Sequence, residues 1–445
     1  MPKRIPDIEF PFIHSRTLRA RFDEAPISTD GGAVLLRHID HRLSLIRSLA
    51  AAIPDRRDLR YIEHTVAEQM GQRVFGIALG YEDCNDAQTL RGDPLLKVCC
   101  GRELTAASLA SQPTLSRFEN EATAQSCYRF AHALLESYFV RHPSRPRQRI
   151  VLDLDPSDDP THGQQELSFF NAFYDEHCYL PLFVFDQDGD LFTAVLQPGK
   201  PKGAKIAVAV LKRIIGRMRR QWPGVRIMVR ADSAFASPVM YRMCDRLDVD
   251  FIIGFQPNVK LNQLAAPLRE KARRKFLRCQ QKVRLFTSRR YRANRGWDRS
   301  WRVLIKAEHM AEGANTRYVI TNLKGPAQRL YDVVYVQRAE ACENSIKDLK
   351  NVLKADRLSC HRFWANQFRL LLHAAAYVLL FSLRRLAHGT ELAVAQMDTL
   401  RLRLLKIACR VEQTARHIWL HFTSAYPWQS LWRLICQRCI LGDFG

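Results

Sequence analysis

The segment Arg149-Ile-Val-Leu-Asp-Leu-Asp155 is predicted to form a short β-strand, and it indicates the fold class of the chain. Its apolar and β-branched residues are typical of a buried strand, and Pro156 ends it. Asp153 and Asp155 are two residues apart, so their side chains point to the same face of the strand near its C-terminal end. Because ligands of open α/β sheets gather at the C-terminal ends of strands, both carboxylates are candidate site residues.

Further strands follow along the chain. The segments 180–186 and 191–197 are predicted to form a hairpin through the turn Gln187-Asp-Gly-Asp190, and 225–231 and 250–255 are predicted to be strands separated by a helix. Three consecutive strands followed by alternating helices and strands predict a mixed sheet with helices on its faces. The predicted fold class is therefore α/β.

The regions on either side of the sheet and its insertion are predicted to be mainly helical. Helical periodicity predicts helices over five segments: 31–53, 60–80, 104–138, 327–356 and 361–388. Residues 1–142 are accordingly predicted to form a helical N-terminal domain. The C-terminal region 393–445 is also predicted to be helical, and it is basic and rich in aromatic residues.

The charge of the chain favours a polyanionic partner. Its 445 residues include 68 lysines and arginines and 45 acidic residues, and the formal charge of +23 suits nucleic acid or an anionic membrane surface. Residues 267–306 alone contain 15 basic and two acidic residues, a net charge of +13, with five interleaved aromatic residues: Phe276, Phe286, Tyr291, Trp297 and Trp301. This combination is typical of a surface that holds a phosphate backbone and stacks on unpaired bases. The alternative is a solvated hairpin or helix face whose aromatic residues pack inward.

The composition argues against secretion, membrane insertion and a zinc site. The N-terminus has no apolar segment of signal-peptide length, and the longest apolar segment, 370–383, is shorter than the roughly 20 residues that span a bilayer. The twelve cysteines are scattered, and the Cys436-x-x-Cys439 pair lacks two further ligands at matched spacing. We expect a cytoplasmic protein with reduced cysteines, no membrane segment and no organic cofactor.

Two more acids could join those of the first strand. Asp232 follows the predicted strand 225–231, and Glu343 lies on the predicted helix 327–356. Converging carboxylates repel one another unless cations lie between them, and two Mg²⁺ ions about 3.5–4 Å apart would relieve the repulsion. Hard oxygen ligands favour Mg²⁺ or Mn²⁺ over zinc. The alternative is that Asp155 begins a turn and that Glu343 is a solvated helix residue.

Four motifs along the chain resemble those of the DDE-class transposases of bacterial insertion sequences, and most closely the insertion-sequence family thirteen-eighty. The motifs are Leu152-Asp-Leu-Asp-Pro-Ser-Asp-Asp-Pro-Thr-His-Gly-Gln-Gln-Glu, Arg230-Ala-Asp-Ser-Ala-Phe, Glu343-Asn-Ser-Ile-Lys-Asp-Leu-Lys and Ala355-Asp-Arg-Leu-Ser-Cys-His-Arg-Phe-Trp-Ala-Asn-Gln-Phe-Arg. The resemblance spans about 150–385, with weaker similarity back to about residue 28. It implies an RNase H-like catalytic fold: a mixed sheet with flanking helices, interrupted by a β-rich insertion.

The resemblance also implies a layout and an activity. The five regions are a helical N-terminal DNA-binding domain (1–142), a catalytic core in two parts (143–258 and 326–392), a basic β-rich insertion between them (259–325) and a helical C-terminal region (393–445). Such a protein would bind inverted-repeat ends as a homodimer, cleave them, and join the 3′-hydroxyl ends to target DNA in the bacterial cytoplasm, at the nucleoid. Two alternatives are a non-catalytic DNA-binding protein derived from a transposase and an RNase H-like nuclease without strand transfer.

Catalytic and metal-binding roles follow from the same resemblance. The first carboxylate falls on Asp155, with Asp153 as the alternative, and the other two fall on Asp232 and Glu343. Two Mg²⁺ or Mn²⁺ ions are the implied cofactors.

Contacts with DNA are implied for the related Tyr-Arg-Glu-Lys signature and for the basic insertion. Four residues separate Arg338 from Glu343 where the signature has three, which leaves the role of Arg338 open. In relatives, a tryptophan of the insertion accepts a flipped base, and Trp297 and Trp301 are both candidates. The complete set of predicted DNA contacts is Tyr335, Arg338, Lys347, Lys350, Trp297, Trp301, Arg289, Arg290, Arg292 and Arg295.

Overall fold

The structure is a computed structural model and describes residues 8–10, 18–143, 148–200, 204–293 and 296–444. Its first part consists of the short strands β1 (Ile8–Phe10), β2 (Leu18–Ala20) and β3 (Ile27–Ser28) and the helices α1 (Ala33–Leu43), α2 (Leu45–Ala51), α3 (Val66–Leu79), α4 (Asp86–Leu90), α5 (Pro94–Cys99), α6 (Gln112–Asn120) and α7 (Ala124–Arg141). Helix α3 begins with a capping box, in which the Thr65 hydroxyl accepts from the Glu68 amide and the Glu68 carboxylate accepts from the Thr65 amide. In the described part of the chain before residue 142, most elements are therefore helices.

A large mixed sheet forms the centre of the molecule. Its strands are β4 (Arg149–Pro156), β8 (Leu182–Asp186), β9 (Leu191–Val195), β10 (Arg226–Ala231), β11 (Asp250–Phe255), β12 (Val283–Tyr291), β13 (Trp301–Met310) and β14 (Gly313–Thr321). They are ordered β12-β13-β14-β11-β10-β4-β8-β9. β4, β10 and β11 are parallel, and the other neighbours are antiparallel. The strands β5 (Asp159–Pro160), β6 (Phe169–Asn171) and β7 (Glu176–Tyr179) form a small separate sheet.

The two faces of the sheet are covered by different helices. Ile150, Leu152 and Leu154 of β4 belong to a core shared with the helices α8 (Lys205–Gln221), α9 (Pro238–Arg246) and α10 (Val259–Cys279). Val151 lies on the opposite face and packs with residues from a long helical segment over 327–352. Because side chains alternate along a strand, Asp153 and Asp155 share the face of Val151.

The insertion over 259–325, predicted to be β-rich, contains a long helix as well as three strands. Its first 21 residues form helix α10, and β12, β13 and β14 then extend the main sheet through antiparallel pairing of β14 with β11. No local pattern in the chain indicates the pairing of β14 with β11. The insertion is therefore continuous with the sheet that positions the candidate site.

The long segment over 327–352 changes its helical winding three times. It begins with α11 (Ala327–Arg329), continues as a π-helical turn over Leu330–Tyr335, becomes α12 (Val336–Lys347) and ends as a second π-helical turn over Asp348–Val352. It is followed by α13 (Phe363–Leu386), which is buried along almost its whole length. The prediction of a buried helix over the longest apolar segment is confirmed.

The C-terminal region is only partly helical. It contains α14 (Met397–Leu400), which continues as a π-helical turn over Arg401–Leu405, the strands β15 (Cys409–Gln413) and β16 (Ile418–Phe422), and α15 (Gln429–Leu441). The prediction of a helical region is wrong for β15 and β16, because β15 pairs with β16 and also with β3, a strand near the start of the chain. One hydrophobic core joins the N-terminal helices, α13 and the C-terminal region.

None of the helices that the structure describes combines the length and the apolar character needed to cross a membrane.

Candidate carboxylate site

Asp155 and Asp232 lie side by side at one edge of the sheet. β4 and β10 are parallel with Leu154 opposite Ala231, so the next residue of each chain segment, Asp155 and Asp232, reaches the same end. The Asp232 carboxylate also accepts a hydrogen bond of 2.9 Å from the Ala234 amide, which caps a short 3-10 turn. The convergence of these two acids is the arrangement that the sequence pattern predicted.

The guanidinium of Arg338 lies against this pair. Its Nη1 is 3.3 Å from Asp155 Oδ2, and its Nε is buried with no hydrogen-bond partner among the described residues. Burial raises the pKa of Asp155 to about 6, Arg338 opposes the rise, and the charge of Asp232 adds to it. Burial also raises the pKa of Asp232, again opposed by Arg338. Two carboxylates thus share one cation and are incompletely neutralised.

Asp153 is on the same face of β4 as Asp155, but it differs from Asp155 in burial and in hydrogen bonding. Its side chain is 0% exposed, and its two oxygens accept from Arg230 Nε at 2.6 Å and Nη2 at 2.5 Å. Arg230 also donates to the Val334 carbonyl at 3.1 Å. The Asp155 side chain, by contrast, is 21% exposed. Of the two candidates for the first metal-binding carboxylate, only Asp155 has oxygens open to a ligand.

Glu343 is not brought to the two aspartates. Its side chain is 61% exposed and pairs with Lys347 at 2.8 Å, and this pairing lowers its pKa. Cys342 is buried instead, and burial together with the charges of Asp153 and Asp155 raises the pKa of its thiol. Arg338 and Cys342 are four residues apart and share one helix face, whereas the next residue is rotated by about 100°. Because of the additional residue between Arg338 and Glu343, Cys342 is buried on the helix face of Arg338 and Glu343 is exposed to solvent.

The described side chains contain no group of three or more His, Cys, Asp or Glu residues able to hold a metal ion. The side chains of residues 339–341 are outside that description. The fit to a divalent cation consequently rests on Asp155 and Asp232. They supply hard oxygen ligands, and burial raises their pKa values. A bound cation would favour the ionised form of both carboxylates and so oppose the effect of burial. The donor set fits such an ion, and the position of Arg338 shows where positive charge is already favoured.

Tyr335 and Lys350 of the signature lie near the site but are engaged in different ways. A Cβ atom on Gly254 would be 2.6 Å from the Tyr335 hydroxyl oxygen and 2.9 Å from the Ser233 amide nitrogen, so glycine is required for this close approach. Burial raises the pKa of Tyr335. Lys350 Nζ is 3.1 Å from both the carbonyl oxygen and a carboxylate oxygen of Asp158. Tyr335 therefore lines the aspartate pair, whereas Lys350 is held by the loop after β4.

The tryptophans of the insertion form part of an aromatic core. Trp301 is 4% exposed and packs edge-on against Tyr241 and Phe251, with ring centroids 5.9 and 5.3 Å apart. The prediction that Trp301 contacts DNA is corrected, because its ring is enclosed by protein. Trp297 packs against Tyr241 and Tyr291 at 5.6 and 5.4 Å and is partly exposed, so it retains a free edge.

The predicted basic contacts of the insertion are on its surface. Arg289, Arg290 and Arg292 are exposed, and the hydrogen bonds that they donate go to neighbouring groups of the same hairpin. Arg295 lies outside the described residues. The aromatic residues point inward, whereas these arginines point outward. Inward packing of the aromatic residues is therefore compatible with a DNA-contacting role of the arginines.

Three residues at the site were not assigned a role from the sequence: Arg230, Gly254 and Cys342. Arg230 is on β10, two residues before Asp232, so the alternation that paired Asp153 with Asp155 could have identified it. Gly254 is inside β11, and a glycine inside a strand often marks a position where another group approaches the backbone closely. Cys342 could not be found in this way, because its direction depends on the winding of the helix before it.

The fold is an α/β fold in which two carboxylates lie together at the C-terminal ends of neighbouring parallel strands. The family model for the transposase DDE domain, group 1, matches residues 10–440, and the chain belongs to this family. It is a transposase, a DNA-binding protein that acts in DNA recombination. None of the curated proteins with which the sequence was compared matches it. Among solved structures, the chain is similar to the piggyBac transposase in a synaptic complex with hairpin DNA, with 11% identity, a TM-score of 0.45, and coverage of 86% of this chain and 82% of that chain.

Proposed function

We propose that this transposase cuts DNA ends and joins their 3′-hydroxyls to target DNA by metal-dependent phosphoryl transfer at Asp155, Asp232 and Glu343. The observation that carries the proposal is the parallel register of β4 and β10, which places Asp155 and Asp232 together at the edge of the sheet. Raised pKa values at both carboxylates are typical of functional sites.

The order of the strands supports an RNase H-like catalytic core. The five strands β9-β8-β4-β10-β11 contain an antiparallel run, β4 to β9, and two strands parallel to β4. In this arrangement β4 supplies the first acid and β10 the second. The insertion between Asp232 and Glu343 then extends the sheet beyond β11.

Asp155 and Asp232 would hold Mg²⁺ or Mn²⁺, in the two-ion arrangement that the motifs implied. The bound ions would activate the attacking oxygen and stabilise the departing one. The residues of this chain have complementary tasks: Asp153 keeps Arg230 in place beneath the site, Tyr335 lines it, and the positive charge of Arg338 attracts a DNA phosphate. Glu343 would have to turn inward to complete the carboxylate set.

The other parts of the chain are assigned to holding DNA. The exposed arginines Arg289, Arg290 and Arg292 would contact the backbone, and the helical N-terminal region would bind the inverted-repeat ends. Two ends have to be brought together before joining, so we propose a homodimer on DNA. The proposed place of action is the bacterial cytoplasm, at the nucleoid.

A cleavage and joining assay tests the proposal. The substrate is a labelled duplex made from the DNA that flanks the gene, incubated with supercoiled target DNA in Mg²⁺ or Mn²⁺. We expect wild-type protein to cut and join, and Asp155→Asn and Asp232→Asn to bind DNA without cutting it. Glu312→Gln removes an exposed carboxylate from the β13–β14 turn and serves as the matched control. Cutting by either aspartate variant at the wild-type rate would refute the assignment.

One observation favours a second candidate, a transposase-derived protein that binds DNA without cutting it. Glu343 faces solvent and pairs with Lys347 rather than with the aspartates. The same assay separates the possibilities. Tight binding with no cutting in either metal would establish the second candidate, and cutting without joining would establish a nuclease.

A further inference from the structure

A cavity of about 550 Å³ lies on the sheet face that carries Asp153 and Asp155, next to the helix that carries Glu343. Three arginines from three different elements line it: Arg149 at the start of β4, Arg230 on β10 and Arg329 at the end of α11. The amides of Gln187, Gln337 and Asn344 complete its polar wall. Its volume is within the range of about 300–1,000 Å³ that is typical of ligand pockets.

The positive charge of this cavity is not balanced. Arg230 is 3% exposed and is matched by Asp153, but no carboxylate pairs with Arg149 or Arg329 in the described part of the chain, and none is among the described residues that line the cavity. Among the described residues, the guanidinium of Arg149 donates to the sulfur of Met228. Many other arginines of this protein do have carboxylate partners, among them Arg73, Arg141 and Arg217. Two unmatched guanidinium groups at one cavity attract an anion.

We propose that this cavity, the arginine groove, is a second DNA-binding surface that takes a short segment of the phosphodiester backbone. Arg149 and Arg329 would bind consecutive phosphates, because a guanidinium presents paired donors to phosphate oxygens. Gln337 and Asn344 offer amide donors and acceptors to sugar and base edges, whereas the Gln187 amide accepts from the Val151 amide and donates to Asp188. The inference rests on the proposed function and deepens it by adding a path for a DNA strand beside α12, on the face of the sheet that also carries Asp155.

The position of the groove gives this contact a connection to the carboxylate site. Gln337 precedes Arg338, and Asn344 follows Glu343, so DNA in the groove touches the helix that positions both residues. Arg230 lines the groove with one side and holds Asp153 with two hydrogen bonds. A strand bound there would therefore contact the same elements that place Asp155 and Glu343.

The test is the salt dependence of DNA binding, measured by fluorescence anisotropy in EDTA with a duplex from the DNA that flanks the gene. The variant Arg149→Gln/Arg329→Gln removes two exposed charges from the groove. Each lost phosphate contact is expected to reduce the slope of log affinity against log salt by about 0.9, so the slope should fall by about 1.8. Affinity at about 0.1 M salt should fall on the order of tenfold or more.

The control is Lys212→Gln/Arg220→Gln, which removes the same charge from exposed positions of α8 on the opposite face of the sheet. It should leave the slope within a few tenths of the wild-type value. Equal slopes for the groove variant and the wild type, or equal losses for the groove and control variants, would overturn the proposal. Because the measurement needs no metal and no cutting, it can succeed or fail independently of the proposed activity.

Discussion

Asp153 and Asp155 are two residues apart on the same face of β4, and each lies beside an arginine, yet the two pairs differ in kind. The Asp153–Arg230 pair is closed: the carboxylate is fully buried and both of its oxygens accept from the guanidinium. The Asp155–Arg338 pair is open: one contact of 3.3 Å joins them, and Arg338 also faces Asp232. In a closed ion pair neither charge is free for a ligand, and loss of one partner leaves the other charge buried and unmatched, whereas an open pair leaves capacity for a ligand.

The difference arises from the origin of the two arginines. Arg230 is on the neighbouring strand, directly opposite Asp153 in the parallel register, so backbone hydrogen bonds fix the distance between them. Arg338 is on a helix that reaches the sheet through a π-helical turn over Leu330–Tyr335. Side chains on a helix with such a turn depend on its winding, and π-helical turns are frequently found at functional sites. The closed pair therefore supports the sheet, and the open pair belongs to the site.

The largest expected effect is on activity, at the open pair. Asp155→Asn keeps the size of the side chain but removes the charge that a divalent cation needs. Cutting should fall by about 10³-fold or more, while the variant remains folded and binds DNA. Single-turnover cutting of the flanking duplex measures the rate. An Asp155→Asn protein that cuts within tenfold of the wild type would mean that the open pair is not the site.

The second effect is on stability, at the closed pair. Asp153→Ala leaves the guanidinium of Arg230 buried without its partner, and the free energy of unfolding should fall by about 3–5 kcal/mol. Urea unfolding followed by circular dichroism measures it. The double variant Asp153→Ala/Arg230→Met should regain most of the loss, because an apolar pair leaves no unmatched charge. If the double variant is as unstable as the single one, the loss of stability does not come from the unmatched charge of Arg230.

The third effect is a pH dependence that belongs to the open pair. Burial raises the pKa of Asp155 from 3.8 to about 6, so the folded protein holds a proton that the unfolded chain has lost over this interval. The free energy of unfolding of the metal-free protein should therefore fall by about 1–2 kcal/mol as the pH rises from about 4 to 6, and then level off. Affinity for Mn²⁺ should rise through the same interval, because the ion requires the ionised carboxylate.

Thermal unfolding in EDTA, compared between wild type and Asp155→Asn at each pH, isolates this contribution. The difference between the two proteins should change between pH 4 and 6 and stay constant above pH 7. A constant difference throughout would show that Asp155 titrates in its ordinary range.

The smallest expected effect sharpens the description of the open site. Gly254→Ala places a methyl group 2.6 Å from the present position of the Tyr335 hydroxyl oxygen. Overpacking of this kind should lower the free energy of unfolding by about 1–2 kcal/mol and displace Tyr335 from Asp232. Gly254→Ala/Tyr335→Phe should regain part of the loss, since the hydroxyl is one of the two close contacts. An equally destabilised double variant would assign the clash to the Ser233 backbone alone.

Much of the fold could be predicted because local patterns were sufficient for it. Alternation and β-branched residues predicted β4, β8, β9, β10 and β11, and apolar periodicity predicted the buried helix α13. The pairing of β14 with β11 and of β15 with β3 was missed, because partners that are far apart in sequence leave no periodic signal. The inward packing of Trp301 was missed for the same reason, since Tyr241 and Phe251 come from other elements.

By itself, the sequence determined that Asp155 and Asp232 end two apolar strands, and parallel pairing was enough to bring them to one edge of the sheet. It also determined the excess of positive charge. Only the tertiary structure decided that the Asp153–Arg230 pair is closed and the Asp155–Arg338 pair is open. It also decided that Cys342 rather than Glu343 faces the aspartates, and that Arg149 and Arg329 line one cavity. The physical reason is that a side chain's partner and exposure depend on remote elements and on helix winding, whereas strand alternation depends only on neighbours in the chain.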